Sequence, residues 1–304
     1  MTDNTGVVSE GLATGHQRRQ PRPKTKVREE FPMLASNFSN RARTLQSTTP
    51  LSNDQIQRVA PSIFAGAAHE SRSDRYAYIP TIDVLEALRG EGFEPFFACQ
   101  TATRKEGRQE HTKHMLRLRH ASQIVGKEVN EIILLNSHDG TSSYQMLAGC
   151  FRFVCANGMV IGDTAGDVRV RHTGEATGEV IEGAYEVLNH MAAVDEQRES
   201  MKSVQLKPSE QRALASAALS YRWEDKPAPV TEDAILMPRR SEDRGADLWS
   251  TFNRVQENML RGGLRGRNQK GRPTRTREMK GIDSSVRMNR ALWVLSEQLR
   301  EAVS

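Results

Sequence analysis

Cysteine is scarce in this 304-residue chain: Cys99, Cys150 and Cys155 form an odd count with no Cys-x-x-Cys pair. That excludes a disulfide scaffold and a zinc ribbon, and it points to a reducing compartment. Long apolar runs are missing as well. No stretch of about 18 apolar residues occurs and no hydrophobic signal segment opens the chain, so neither membrane spanning nor secretion is expected and the cytoplasm is the expected location. Aromatic residues make up only 6% and apolar ones 37% of the chain, which implies polar ends around an ordinary globular middle. The signatures of common chemistries are absent too. There is no glycine-rich nucleotide loop and no Gly-x-Ser-x-Gly elbow, and Glu128, Glu131, Asp163 and Asp167 show no paired-carboxylate arrangement for magnesium. No cofactor, no metal site and no catalytic residue is therefore expected.

What the chain does have is positive charge, with 43 basic against 38 acidic side chains and a formal charge of +5. This favours an anionic partner. Residues 1–50 read as a basic, disordered arm around Arg18, Arg19, Arg22, Lys24, Lys26 and Arg28. Residues 51–225 read as an α+β core, and 226–246, with Pro227, Pro229 and Pro238, as a linker or long surface loop. Residues 247–304 read as a C-terminal helical portion interrupted by a basic Arg/Gly loop at 261–280.

Within the core, Ser52 opens a short helix to Val59, and Thr81 caps a second bearing Ile82, Leu85 and Leu88. Strands are expected at Phe93–Gln100, Lys113–His120, Glu131–Asn136, Cys150–Cys155 and Asp167–His172. The unbroken Ile132, Ile133, Leu134, Leu135 run belongs in the middle of the sheet, covered on both faces. Later helices carry the stripes Ile181, Tyr185, Leu188, Ala192 and, after a Ser209 cap, Leu214, Ala218, Tyr221. Asp247 caps another with Leu248, Phe252, Val255 and Met259, closed by Gly262 and Gly263, and a last helix begins near Asp283 with Val286, Trp293 and Leu299. The fold class that follows is α+β: a central, antiparallel-rich sheet of about five strands flanked by helices, with a C-terminal helical portion.

Two patterns point to an anion-binding surface. In Lys113–Arg119, Leu116 and Leu118 face one way while Arg117 and Arg119 face the other; Arg169 and Arg171 oppose Val168 and Val170, and Arg152 lies between Phe151 and Phe153. The reading is a cationic sheet face with Phe96, Phe97 or Tyr144 as stacking surface for bases, and the competing reading is a half-exposed sheet with solvated arginines. The second pattern is the Arg/Gly loop, where Arg261, Arg265, Arg267, Lys270, Arg272, Arg275, Arg277 and Lys280 oppose only Glu278. Such a run releases counterions from phosphates, or else it is a flexible solvated loop. A third stretch, Asn136-Ser137-His138-Asp139 with Tyr144, mixes imidazole, carboxylate and hydroxyls as a candidate functional loop, although Asp139-Gly140 reads more simply as a tight turn. His111 and His114, three apart ahead of a strand, do not share a face and so do not form a metal pair.

The stretches 69–76, 92–100, 111–119, 134–145, 151–158 and 256–263 together resemble an uncharacterised phage- and plasmid-like protein family of domains of unknown function, found in enterobacterial prophages and mobile islands. The resemblance runs from about Arg58 to Leu299 and implies a mobile-element setting; it supplies no catalytic residues. The expected function is non-catalytic binding of nucleic acid, single-stranded DNA above all, in recombination, transfer or protection, by a homo-oligomer. The alternatives are an antirestriction or regulatory protein that binds a host protein, and a metal-dependent nuclease using His111, His138, Asp139 or nearby acids.

Overall fold

The computed structural model describes residues 42–70, 78–103, 107–123, 128–152, 157–162, 167–171, 176–224 and 226–303. The arm up to residue 41, Cys155 and the end of the strand expected at 150–155 lie outside them. The first element, β1 (Ala42–Gln46), falls inside the stretch read as an unpaired arm. Its one large apolar side chain, Leu45, offers no alternation to read, and pairing with β2 (Phe93–Thr101) holds it. In α1 (Asn53–Val59), which Ser52 opens as its sequence implies, the Ser52 hydroxyl accepts from the Gln55 amide while the Gln55 side chain accepts from the Ser52 amide, a capping box. Thr81 does not cap α2 (Thr81–Gly90); Pro80 occupies that position, and the Thr81 hydroxyl is instead committed to a buried polar network.

The sheet runs in the order β1, β2, β3 (His114–His120), β4 (Glu128–Asn136), β5 (Tyr144–Arg152) and β6 (Asn157–Val160), with β7 (Val168–Val170) paired to the other end of the same β5 edge; every pairing is antiparallel. This confirms the α+β class, with a sheet of seven strands among the described residues rather than about five. The additional ones are short, and β5 starts at Tyr144 rather than Cys150, paired from there with β4 and β7; Gln145 and Gly149 interrupt the apolar pattern and hid its first half. All of Ile132, Ile133, Leu134 and Leu135 are buried in the central strand β4, as a strand covered on both faces requires.

One sheet face, with Leu116, Leu118, Ile132, Leu134, Tyr144 and Met146, packs under α1, α2 and the first half of α3 (Ala176–Ser203). The face of α3 that meets it is Val180, Ala184, Val187 and Met191, one residue around from the expected stripe; Ile181, Tyr185 and Leu188 flank it and Ala192 is exposed. The opposite face, with Met115, Ile133, Leu135, Leu147 and Val160, receives Ile282 and Val286 of α7 (Ile282–Val303). A second core joins the end of α3 to α4 (Pro208–Trp223), α5 (Glu232–Leu236), α6 (Leu248–Arg261) and α7, around Phe252, Val255, Met259, Leu292 and Trp293. Here α6 is central, opened by the Asp247 carboxylate accepting from the Ser250 amide at 2.8 Å. In α4 the Lys207 position is the cap, its amide bonded to Glu210, and Tyr221 is exposed rather than in the stripe. The 226–246 segment carries α5, with Ile235 and Asp243 buried. Among the described residues no helix is long and apolar enough to cross a membrane.

Candidate nucleic-acid interface

The Arg/Gly stretch between α6 and α7 is a two-stranded ribbon, β8 (Arg265–Arg267) against β9 (Pro273–Arg275). Asn268 organises its turn by accepting from the amides of Lys270 and Arg272, each at 3.0 Å. The pleat then separates two faces. Gly266 lies against the carbonyl of Pro229, which an added Cβ would meet at 1.8 Å, so only glycine lets the ribbon lie down there. The other face carries Arg265, Arg267 and Arg275 into solvent, with Arg265 directly across from Arg275. Like charges paired across strands destabilise a ribbon. Lys270, Arg272 and Arg277 are exposed as well, and among the described residues none of these six cations is ion-paired with an acid. The stalk is firm by contrast: Arg222 donates to the carbonyls of Met259 and Arg277, Arg239 reaches the Gly262 carbonyl, and the Gly263 and Met279 amides bond across it.

The sheet arginines are placed differently from the expected cationic face. Arg117 and Arg119 are 5% and 1% exposed and converge on one carboxylate, Arg117 Nη1 to Glu131 Oε2 at 3.0 Å and Arg119 Nη2 to Glu131 Oε1 at 2.9 Å. The Arg119 guanidinium is sandwiched between the rings of Phe96 and Phe151, 4.2 and 4.5 Å from their centroids. Burial draws Arg119 below its ordinary pKa, and Glu131 opposes that shift. Arg152 is on the opposite face, because β5 pairs with β4 so that Arg152 stands across from Glu128; it is bonded there to Glu128 and Asp243. Lys113 pairs with Asp283 at 2.8 Å. Only Arg169 and Arg171 are open to solvent. The five strand arginines therefore form no continuous exposed surface.

A cleft of about 550 Å³ nevertheless brings the sheet and the ribbon stalk together. Its floor is Phe97, Met115, Arg117 and Arg119 with Glu131, and its wall is Arg261, Glu278, Lys280 and the start of α7. A bulge between Pro95 and Phe97 turns Phe96 and Phe97 toward the same side, which strict alternation does not allow. Phe96 is spent on Arg119, and Phe97 remains half-buried at the cleft. A Cβ on Gly158 would meet Arg117 Nη1 at 1.8 Å, so any larger residue there has to displace that guanidinium from its place beside Glu131. Sequence reasoning missed Glu131, Gly158 and the β1 residues Thr44 and Gln46; the acid that borders the apolar run of β4 was the one legible signal.

The Asn136–Tyr144 loop is a core feature. Asn136, Ser137, His138 and Tyr144 are buried. Asn136 and His114 bond the Thr81 hydroxyl at 3.0 and 2.9 Å, His138 lies 3.2 Å from it, and the Tyr144 hydroxyl donates to the Ile79 carbonyl. The Tyr144 ring is thus unavailable for stacking on a base. Gly140 has φ +73° in the tight turn, where Thr141 donates to Asp139. Burial pushes the Asp139 carboxyl up, but hydrogen bonds from Thr141 and Ser137 outweigh it and hold the group below the usual range. His111 sits against His69, and burial with that neighbour lowers it. Among the described residues no group of three or more His, Cys, Asp or Glu is arranged to hold a metal ion. Cys99 and Cys150 are buried free thiols, both pushed up to about 12 by burial.

The model of a domain of unknown function, DUF932, matches residues 68–293. Two Escherichia coli K12 proteins, UPF0380 protein YafZ and UPF0380 protein YfjQ, are each 57% identical over 266 residues, covering 88% of this chain and 97% of their own. No solved structure matches.

Proposed function

This chain belongs to the DUF932 family, whose description names no chemistry, and from its own surface we propose that it binds nucleic acid through the β8–β9 ribbon, with single-stranded DNA as the preferred form. The observation that carries this reading is the exposed, acid-free cation set of Arg265, Arg267, Lys270, Arg272, Arg275 and Arg277, including the like-charged Arg265–Arg275 pair. A ribbon that holds cations together against their mutual repulsion gains stability when phosphates fill the space between them. The preference for single strands rests on the half-buried Phe97 in the cleft at the foot of the stalk: an unpaired base has a free π-face to offer, and a duplex keeps its bases stacked. Cytoplasmic handling of mobile DNA, in recombination, transfer or protection, is the setting in which we place this activity. A host protein partner and a metal-dependent nuclease remain without a specific observation in their favour.

The test is a salt series of oligonucleotide binding. With six phosphate contacts on a single strand, log K should fall against log salt with a slope of about −4. Changing Arg265, Arg267, Arg272 and Arg275 together to Ala should weaken binding at low salt and reduce the slope by about 3. Absence of binding by wild type, or an unchanged slope in the variant, overturns the proposal.

A further inference from the structure

Beyond the ribbon's grip on a backbone, we infer that the cleft between the sheet and the α7 start is a nucleotide pocket, which takes one phosphate-bearing nucleotide, free or at the foot of a bound strand. The inference rests on the ribbon reading only for the strand-bound form. Four cationic residues line the cleft, Arg117, Arg119, Arg261 and Lys280, against two acidic ones, Glu131 and Glu278. Its volume of about 550 Å³ lies within the range of pockets for small organic ligands, roughly 300–1,000 Å³.

The two ends of the pocket differ in chemistry. At the rim, Arg261 and Lys280 keep side-chain exposures of 42% and 32% and both line the cleft, Arg261 meeting the buried Glu257 at 3.1 Å and Lys280 meeting Glu278 at 3.9 Å. Gly281, Ile282 and Ser285 on the same wall belong to the first turn of the 22-residue α7 or border it, so its positive end adds to the same field. On the floor, Phe97 and Met115 offer an apolar surface for a base, and the Arg117 guanidinium stands over the Phe97 ring 5.8 Å from its centroid. Glu131 holds Arg117 and Arg119, so the floor is set before a ligand arrives and no side chain has to be ordered by it. A cationic rim above an aromatic floor fits a phosphate joined to a base better than it fits either part alone.

The experiment measures binding of deoxyadenosine 5′-monophosphate, deoxyadenosine and inorganic phosphate to the full chain by calorimetry, beside a single-stranded oligonucleotide. The nucleotide should bind at least tenfold more tightly than the nucleoside or phosphate, and Lys280→Glu should weaken it at least tenfold. Phe97→Leu should weaken it comparably, and Phe97→Trp should restore it. The four-arginine ribbon variant should bind the oligonucleotide more weakly and keep the nucleotide. Wild type that fails to bind the nucleotide, or that binds it no better than Lys280→Glu and Phe97→Leu do, overturns the pocket, even where oligonucleotide binding persists. Nucleotide binding without oligonucleotide binding upholds the pocket and overturns the ribbon reading.

Discussion

At the scale of single residues, the decisive contact is Glu131 against two guanidiniums. Arg117 and Arg119 approach its two oxygens separately, and all three side chains are almost out of reach of water. Glu131→Gln leaves two buried cations facing a neutral amide, and the loss of a buried ionic partner typically costs about 3–5 kcal/mol. Urea denaturation of that variant should show a loss of unfolding free energy of this size; a loss below about 1 kcal/mol would mean that water reaches the cluster and that the pair counts as a surface one. The alternation that puts Arg117 and Arg119 on one face was plain in the sequence. Their partner was not, because it sits 12 and 14 residues further on in a neighbouring strand and meets them only through the β3–β4 register.

At the scale of elements, local signals were read well where they act locally. The Ser52 cap, the Asp247 cap and the stop at Gly262 depend on neighbours within four residues, and each is present, whereas Pro80 and Lys207 stand where Thr81 and Ser209 were expected to cap. Asp247→Ala removes the acceptor for the Ser250 amide at the start of the helix on which the second core is built. The expected loss is about 1 kcal/mol by thermal or urea unfolding, and Asp247→Asn should recover most of it. Features that depend on packing were harder to read. The buried stripe of α3 is turned by one residue because Val180, Ala184 and Val187 sit toward the sheet, and sequence periodicity alone does not choose between adjacent stripes. β1 needed its partner β2 to exist at all. The ribbon was legible as a cationic loop, but its pairing, and hence the direction its arginines face, follows from where Gly266 meets Pro229.

At the scale of the whole molecule, the two cores share α3, and Glu128 on β4 ties Arg152, Arg198, Lys202 and Trp249 together from three further elements. Burial pushes the Glu128 carboxyl up, but hydrogen bonds from Trp249 and Lys202 and the charges of Lys202 and Arg198 outweigh it, leaving the group below the usual range, as Asp139 is. A carboxylate with a depressed folded pKa contributes its stability in full above its unfolded value, roughly pH 4, and loses it as pH falls through the folded value. The urea midpoint should therefore drop steeply below about pH 4. A Glu128→Gln, Asp139→Asn double variant should be less stable at pH 7 and flatter in acid; an equally steep acid limb in that variant would assign the loss to other groups. The amino-acid order alone was enough for the α+β class, the buried central strand, the Ser52 and Asp247 caps and the presence of a cationic stretch after α6, since each reflects side-chain period or chemistry within a few residues. Folding in three dimensions was needed to divide the arginines, burying Arg117, Arg119 and Arg152 against acids and leaving the ribbon in solvent. Strand period says which side chains share a face, whereas register and helix cover decide whether that face meets a carboxylate or water.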